Sequence, residues 1–103
     1  MKYGILITDR AREELTAILR YIAQDSQSVE TALAVEDRIE KRVRLLAESP
    51  HMGSIPRLAS LRRRGYRTLI ADRYLIFYKC DEMRRQVTIY HMVDSRRDLR
   101  FLV

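Results

Sequence analysis

Apolar positions recur along the chain with two different periods, and the change between them divides it. Residues 2–7, Lys-Tyr-Gly-Ile-Leu-Ile, are predicted as a short strand. Thr8-Asp9 then offers N-cap oxygens for a helix over 10–24. In that helix Ala11, Leu15, Ile18, Leu19 and Ile22 fall on one face. The polar break Asp25-Ser26-Gln27-Ser28 precedes a second helix, predicted from 29 to about 48. Its apolar stripe is Val29, Ala32, Val35 or Glu36, Ile39, Val43 and Leu46, with a charged opposite face. Ser49-Pro50 ends it, because a residue before proline disfavours the helical region.

Residues 50–63 form an irregular connection, after which the spacing changes. The segments 64–71, 74–80 and 86–93 are rich in Tyr, Ile, Val, Leu, Phe and Thr and are predicted as strands. Asp72-Arg73 is a tight link, and 81–85 a longer one. Three antiparallel strands in a meander follow. The short gap between the helices makes them an antiparallel hairpin, the only element able to cover the apolar face of a sheet. The expected fold is a two-layer α+β domain over residues 1–103, ordered β-α-α-β-β-β, with a short C-terminal tail at 94–103. The other sheet face stays available to Arg and Tyr side chains.

Charge sharpens this picture. The chain has 103 residues and a formal net charge of +6. Its basic residues are 17 Arg and only 3 Lys. Residues 1–51 are net −1 and residues 52–103 net +7. Six of the eight aromatics share the basic half. Arginine binds phosphate and carboxylate with a planar fork, so a polyanionic partner is expected: nucleic acid or an acidic protein segment. No apolar run is long enough for a membrane span or a signal peptide. Cys80 is the only cysteine, which excludes an internal disulfide and leaves no cysteine partners for a metal site. A reducing cytoplasm, no cofactor, no metal and no membrane partner are expected.

The candidate chemistry is sparse. The glycines at 4, 53 and 65 are isolated, so there is no phosphate-binding loop, and no HExxH is present. His51 lies in a loop and is expected to be a surface residue. His91 shares strand parity with Val87, Ile89 and Val93, which predicts a core position. An acid or base near Arg96-Arg97 would also suit RNA cleavage. Arg62-Arg63-Arg64 is a charge run, whereas Arg67 sits within a strand and is better held for anion recognition. Tyr74, Ile76 and Tyr78 share one face by alternation, and because tyrosine hydroxyls need partners at least one is expected to reach the sheet edge or the open face. In the tail, Leu99, Phe101 or Leu102 is expected to pack back, holding Arg96 and Arg97 near Arg67.

Ala11-Arg12-Glu13-Glu14-Leu15 with Ile18-Leu19-Arg20-Tyr21-Ile22-Ala23-Gln24-Asp25 resembles the start of the RelE/ParE superfamily of bacterial toxins. Glu48-Ser49-Pro50-His51-Met52-Gly53, Tyr66 to Lys79, and Val87 to Asp98 resemble its later segments in order and spacing. The resemblance implies a cytoplasmic type II toxin, inhibiting growth, stabilising plasmids, and neutralised by a cognate acidic antitoxin. Tyr74-Leu75-Ile76-Phe77-Tyr78 is closer to ParE-like members, which inhibit DNA gyrase without being enzymes. Those members usually carry His-Gly where this chain has Asp94-Ser95. RelE-like members cleave mRNA at the ribosome with closely spaced lysines in the strand where only Arg67 is cationic here. Under the nuclease alternative the candidate catalytic residues are Arg67, Tyr78, His91 and Arg97. Under either, Arg62, Arg63, Arg64, Arg67, Arg96 and Arg97 are the expected target-binding set. A non-toxic nucleic-acid-binding module is the third expectation.

Overall fold

The computed structural model describes residues 2–98 of the chain. The elements run β1 (Gly4–Ile7), α1 (Asp9–Ser26), α2 (Val29–Leu45), α3 (Ala59–Arg63), β2 (Arg67–Ala71), β3 (Tyr74–Asp81) and β4 (Gln86–Asp94). This is the expected α+β architecture. The strands form one open sheet in the order β1-β4-β3-β2. The meander β2-β3-β4 is antiparallel, and β1 joins it parallel to β4, Gly4 opposite Gln86 and Ile7 opposite Ile89.

Both long helices start on the caps their sequences offer. Thr8 Oγ1 accepts the Ala11 N–H and Ser28 Oγ accepts the Thr31 N–H, satisfying donors the first helical turn leaves unpaired. α1 stops at Gln27, whose left-handed backbone (φ 54°) turns the chain toward α2. The two helices cover one face of the sheet. Ala11, Ala32, Val35, Ile39, Val43 and Leu46 are buried. Most of that stripe joins Leu69, Ile76, Tyr78, Val87, Ile89 and Met92 in the main core. Leu15, Ile18, Leu19 and Ile22 pack against this core but remain only partly buried. Arg38 clamps Asp72 through Nε at 2.9 and 3.1 Å, and Arg42 Nε donates to the Ile70 carbonyl. These bonds fasten α2 to the outer end of the sheet.

Three expectations change. The connection 50–63 is not wholly irregular: Leu58 and Leu61 are three residues apart, and α3 forms there with Leu61 buried. Gly65, at φ +86°, reverses the chain after α3, a conformation glycine adopts without penalty. The strand therefore begins at Arg67, not at 64. Second, the opposite sheet face is partly covered. Leu61, Phe77 and Val93 form a second small core with Leu58, Tyr66 and Leu75 around it. Third, Val29 is 62% exposed and lies outside the buried stripe.

β4 carries one extra residue. Tyr78 pairs with Ile89 but Phe77 pairs with His91, so Tyr90 is an insertion and the strand bulges. Ile39→Ala should cost about 2–5 kcal/mol, because the site is sealed between helix and sheet. Val29→Ala should change stability by less than about 0.5 kcal/mol. Urea unfolding of the two variants checks the contrast.

Candidate functional site

Apart from Arg62, Arg63 and Arg64 at α3, the residues singled out by sequence occupy three separate places on or beside the sheet. The first is the junction of β2, β3 and the loop after α2. Arg67 opposes Tyr78 across the β2–β3 ladder. Tyr78 is fully buried; its hydroxyl donates to the Pro50 carbonyl at 2.8 Å and accepts from the Gly53 N–H at 3.1 Å. Arg67 donates through Nη2 to the carbonyls of His51 at 3.0 Å and Gly53 at 2.9 Å. Ser54 and Thr68 exchange two backbone hydrogen bonds of 2.8 Å, so the loop covers part of the free edge of β2. A Cβ on Gly53 would stand 2.7 Å from both the Thr68 carbonyl oxygen and the Tyr78 hydroxyl, which explains glycine there. Arg67 and Tyr78 thus hold backbone. Arg67 Nε and Thr68 Oγ1 are buried beside this clamp with no hydrogen-bond partner among the described residues.

The clamp brings together residues the linear sequence keeps apart. His51 Nε2 lies 2.6 Å from Glu82 Oε1. Cys80 lies on the same side, and its thiol is pushed up by burial, with the Glu82 and Asp81 carboxylates adding to the effect. His51 is exposed, as expected.

The second place is the bulge. Alternation predicts His91 in the core, but Tyr90 breaks the alternation. His91 keeps 20% of its side chain exposed, and its Nδ1 is 3.3 Å from Glu14 Oε1. The same Glu14 oxygen accepts the Met92 N–H at 3.0 Å. β1 has already ended at Ile7, so Glu14 supplies the acceptor that a longer β1 would have provided. On the opposite face Tyr90 meets Tyr66 edge-to-face at 5.6 Å between ring centroids. The Lys79 ammonium sits 4.6 Å from the Tyr66 centroid and 5.3 Å from that of Tyr90. Burial raises the Tyr66 phenol, and Tyr90 raises it further, so it stays protonated at neutral pH.

The third place is the exit of β4. Asp94 receives the Arg96 backbone N–H at 2.9 Å and the Arg96 guanidinium at 3.0 and 3.1 Å, with Arg73 Nε at 3.3 Å. The Arg96 hydrogen bonds, aided by the charge of Arg73, hold the Asp94 carboxyl down to about 2. Arg73, Asp94 and Arg97 border a cleft of about 460 Å³ beneath α1, walled by Ile18, Tyr21 and Tyr74. The expected patch joining Arg67 to Arg96 and Arg97 does not form. Asp94 pairs with Tyr74, which pairs with Ala71, four residues along β2 from Arg67, or about 13 Å. Leu99, Phe101 and Leu102 lie outside the described residues. Arg62 donates to the carbonyls of Pro56 and Arg57, Arg63 is exposed on α3, and Arg64 lowers the Tyr66 phenol slightly.

A family model described as the ParE toxin of the type II toxin–antitoxin system parDE matches residues 5–99. The chain belongs to the ParE toxin family. Among solved structures it is similar to the chromosomal ParDE system from P. aeruginosa, with a TM-score of 0.74 at 17% identity. That match covers 92% of this chain and 98% of the other. It is also similar to the RelBE2 toxin–antitoxin complex from Mycobacterium tuberculosis, with a TM-score of 0.63 at 19% identity, covering 91% and 99%. At these identities the likeness is one of fold. No curated protein matches significantly. No helix among the described residues of this ParE-family chain is long and apolar enough to cross a membrane.

Two outcomes follow from the site geometry. Tyr78→Phe should cost about 1–3 kcal/mol, because it leaves the buried Gly53 N–H without its partner. Amide exchange at Gly53 should rise with it. Asp94 has a depressed carboxyl in the fold, so its contribution is present above its unfolded value near 3.9 and lost as pH falls toward about 2. Asp94→Asn should therefore lower the Tm at neutral pH, with the difference from the parent fading between about pH 4 and 2. Thermal melts of both proteins across that range give the comparison.

Proposed function

We propose that this chain is a growth-inhibiting toxin that acts by protein contact on DNA gyrase and is neutralised by a cognate antitoxin. Membership of the ParE family supports the target. The observation that carries the non-enzymatic part is the separation of the four nuclease candidates. RNA cleavage by 2′-hydroxyl attack needs a base, an acid and cations around one phosphate. Here the Tyr78 hydroxyl is sealed and bonded to the loop backbone. Arg67 is turned to carbonyl oxygens, His91 is tied to Glu14, and Arg97 lies beyond the far end of β4. One phosphate does not reach all four.

The antitoxin segment is acidic and amphipathic. Leu15 of α1 borders a cleft of about 390 Å³ between β1, α1 and α2. Ile5, Ile7, Leu15, Ile39 and Val43 line it together with Arg12, Arg44, Glu36 and Glu40, and Arg44 is paired to Glu40 at 3.6 Å. Such a groove suits apolar anchors, with a carboxylate of the segment set beside Arg12. The anchors carry most of the affinity, since exposed ion pairs contribute only about 0–1 kcal/mol each.

A second reading, ribosome-dependent mRNA cleavage, draws on Tyr66, Tyr90 and Lys79. An aromatic pair under a cation is the type of surface on which bases stack. A non-toxic nucleic-acid-binding module would use the same surface.

Expression of the chain alone separates the three. Gyrase inhibition predicts an SOS response, filamentation and loss of supercoiling by purified gyrase. Rapid arrest of protein synthesis with cut mRNA would instead establish the nuclease, and absence of any growth defect the binding module. Arg63→Glu and Arg97→Glu should each reduce toxicity per folded molecule, while His91→Gln should leave it unchanged. Antitoxin association should slow with added salt more than dissociation accelerates.

A further inference from the structure

We infer that His51, Cys80 and Glu82 form a site for a borderline-soft divalent metal ion, Zn²⁺ above all, joining the loop after α2 to the end of β3. The imidazole nitrogen, the thiol sulfur and a carboxylate oxygen all lie within 4.8 Å of one another. In a tetrahedral zinc site the bonds are about 2.0–2.3 Å, which places donor atoms about 3.4 Å apart. Exposed side-chain torsions at His51 and Glu82 supply the small movement required. The present 2.6 Å contact between these two opens as both turn to the metal.

The donors are of three kinds, and that decides the metal. Thiolate and imidazole select zinc and its neighbours over magnesium and calcium, which prefer all-oxygen shells. Thiolate and carboxylate together neutralise the two positive charges, and the imidazole adds a neutral donor. Three protein ligands leave a fourth position, filled by water. Binding releases the thiol proton, since the thiolate is the ligand.

The backbone under these donors is already fixed. Tyr78 holds the carbonyl of Pro50 and the N–H of Gly53, on either side of His51, and Arg67 holds the His51 carbonyl itself. Cys80 is paired to Val87 in the β3–β4 ladder, and the turn carrying Glu82 is bound by Asp81 accepting the Arg84 N–H. Asp81 adds negative charge near the site, and Arg67 adds the opposing positive charge. Without a cation, Glu82 and Asp81 work against a Cys80 thiolate. A bound dication reverses that balance.

The site is independent of the toxin's target and is tested without it. The purified full chain, free of any affinity tag, is titrated with Co²⁺ and then Zn²⁺. A thiolate-to-cobalt charge-transfer band should appear, saturate at one equivalent and vanish as Zn²⁺ displaces the cobalt. Competition with a chromophoric chelator should give a zinc Kd of micromolar or tighter. Cys80→Ser should abolish the band and weaken zinc by on the order of 100-fold, and His51→Gln or Glu82→Gln by about 10–100-fold. His91→Gln, at the chain's other histidine, should bind as the parent does. Should Cys80→Ser fail to fold, His51→Gln decides, because that side chain is exposed. Binding that is absent, not saturable at one equivalent, or equally tight in His51→Gln overturns the proposal.

Discussion

The extra residue at Tyr90 sets the direction of every side chain on the second half of β4. Up to Ile89, odd positions face the helices; beyond the bulge that role passes to Met92. Val93 is thereby freed to meet Phe77 and Leu61 on the opposite face. A regular strand would exchange the two, turning Val93 to the helices and Met92 to Phe77 and Leu61, since alternation gives each face every second residue. With the bulge, Met92 is buried in the main core and Val93 in the small one. The same insertion brings Tyr90 against Tyr66 and Lys79, and lets His91 reach Glu14. Both layers of the molecule therefore depend on one irregularity in hydrogen-bond register.

Much of the architecture is legible in the linear sequence, for a physical reason. Helix periodicity, caps and strand composition are local properties, and Thr8, Ser28 and the stripe from Ala32 to Leu46 behave as their spacing requires. α3 is harder to see because its five residues carry two arginines of an evident charge run, and only Leu61 marks the buried side. The bulge has no local signal at all. Nothing in Tyr90-His91-Met92 distinguishes a regular strand from an interrupted one, so His91 reads as core. Its exposure is decided by pairing with β3.

The candidate site was less legible, because its parts meet only through long-range pairing. Arg67 reads as a strand-held anion binder, yet its guanidinium closes on the carbonyls of His51 and Gly53. Gly53 offers a signal in retrospect: an isolated glycine near a proline and a histidine marks close backbone approach. The cluster of His51, Cys80 and Glu82 is invisible to motif spacing, since its members come from a loop, a strand and a turn. Glu14 is the least predictable participant. On α1 it looks like one of two ordinary surface acids, and only the early end of β1 gives it an acceptor's place at Met92.

The parallel pairing of β1 with β4 also has a consequence in time. Gln86, the partner of Gly4, is made 82 residues after it. At synthesis rates of about 5–20 residues per second, β1 waits roughly 4–16 s for the strand that completes its ladder. The helical hairpin can form meanwhile, but the sheet it covers has no centre until β4 emerges. A nascent chain that lacks β4 therefore lacks the complete sheet. The surface that depends on the complete sheet exists only after β4 has been made.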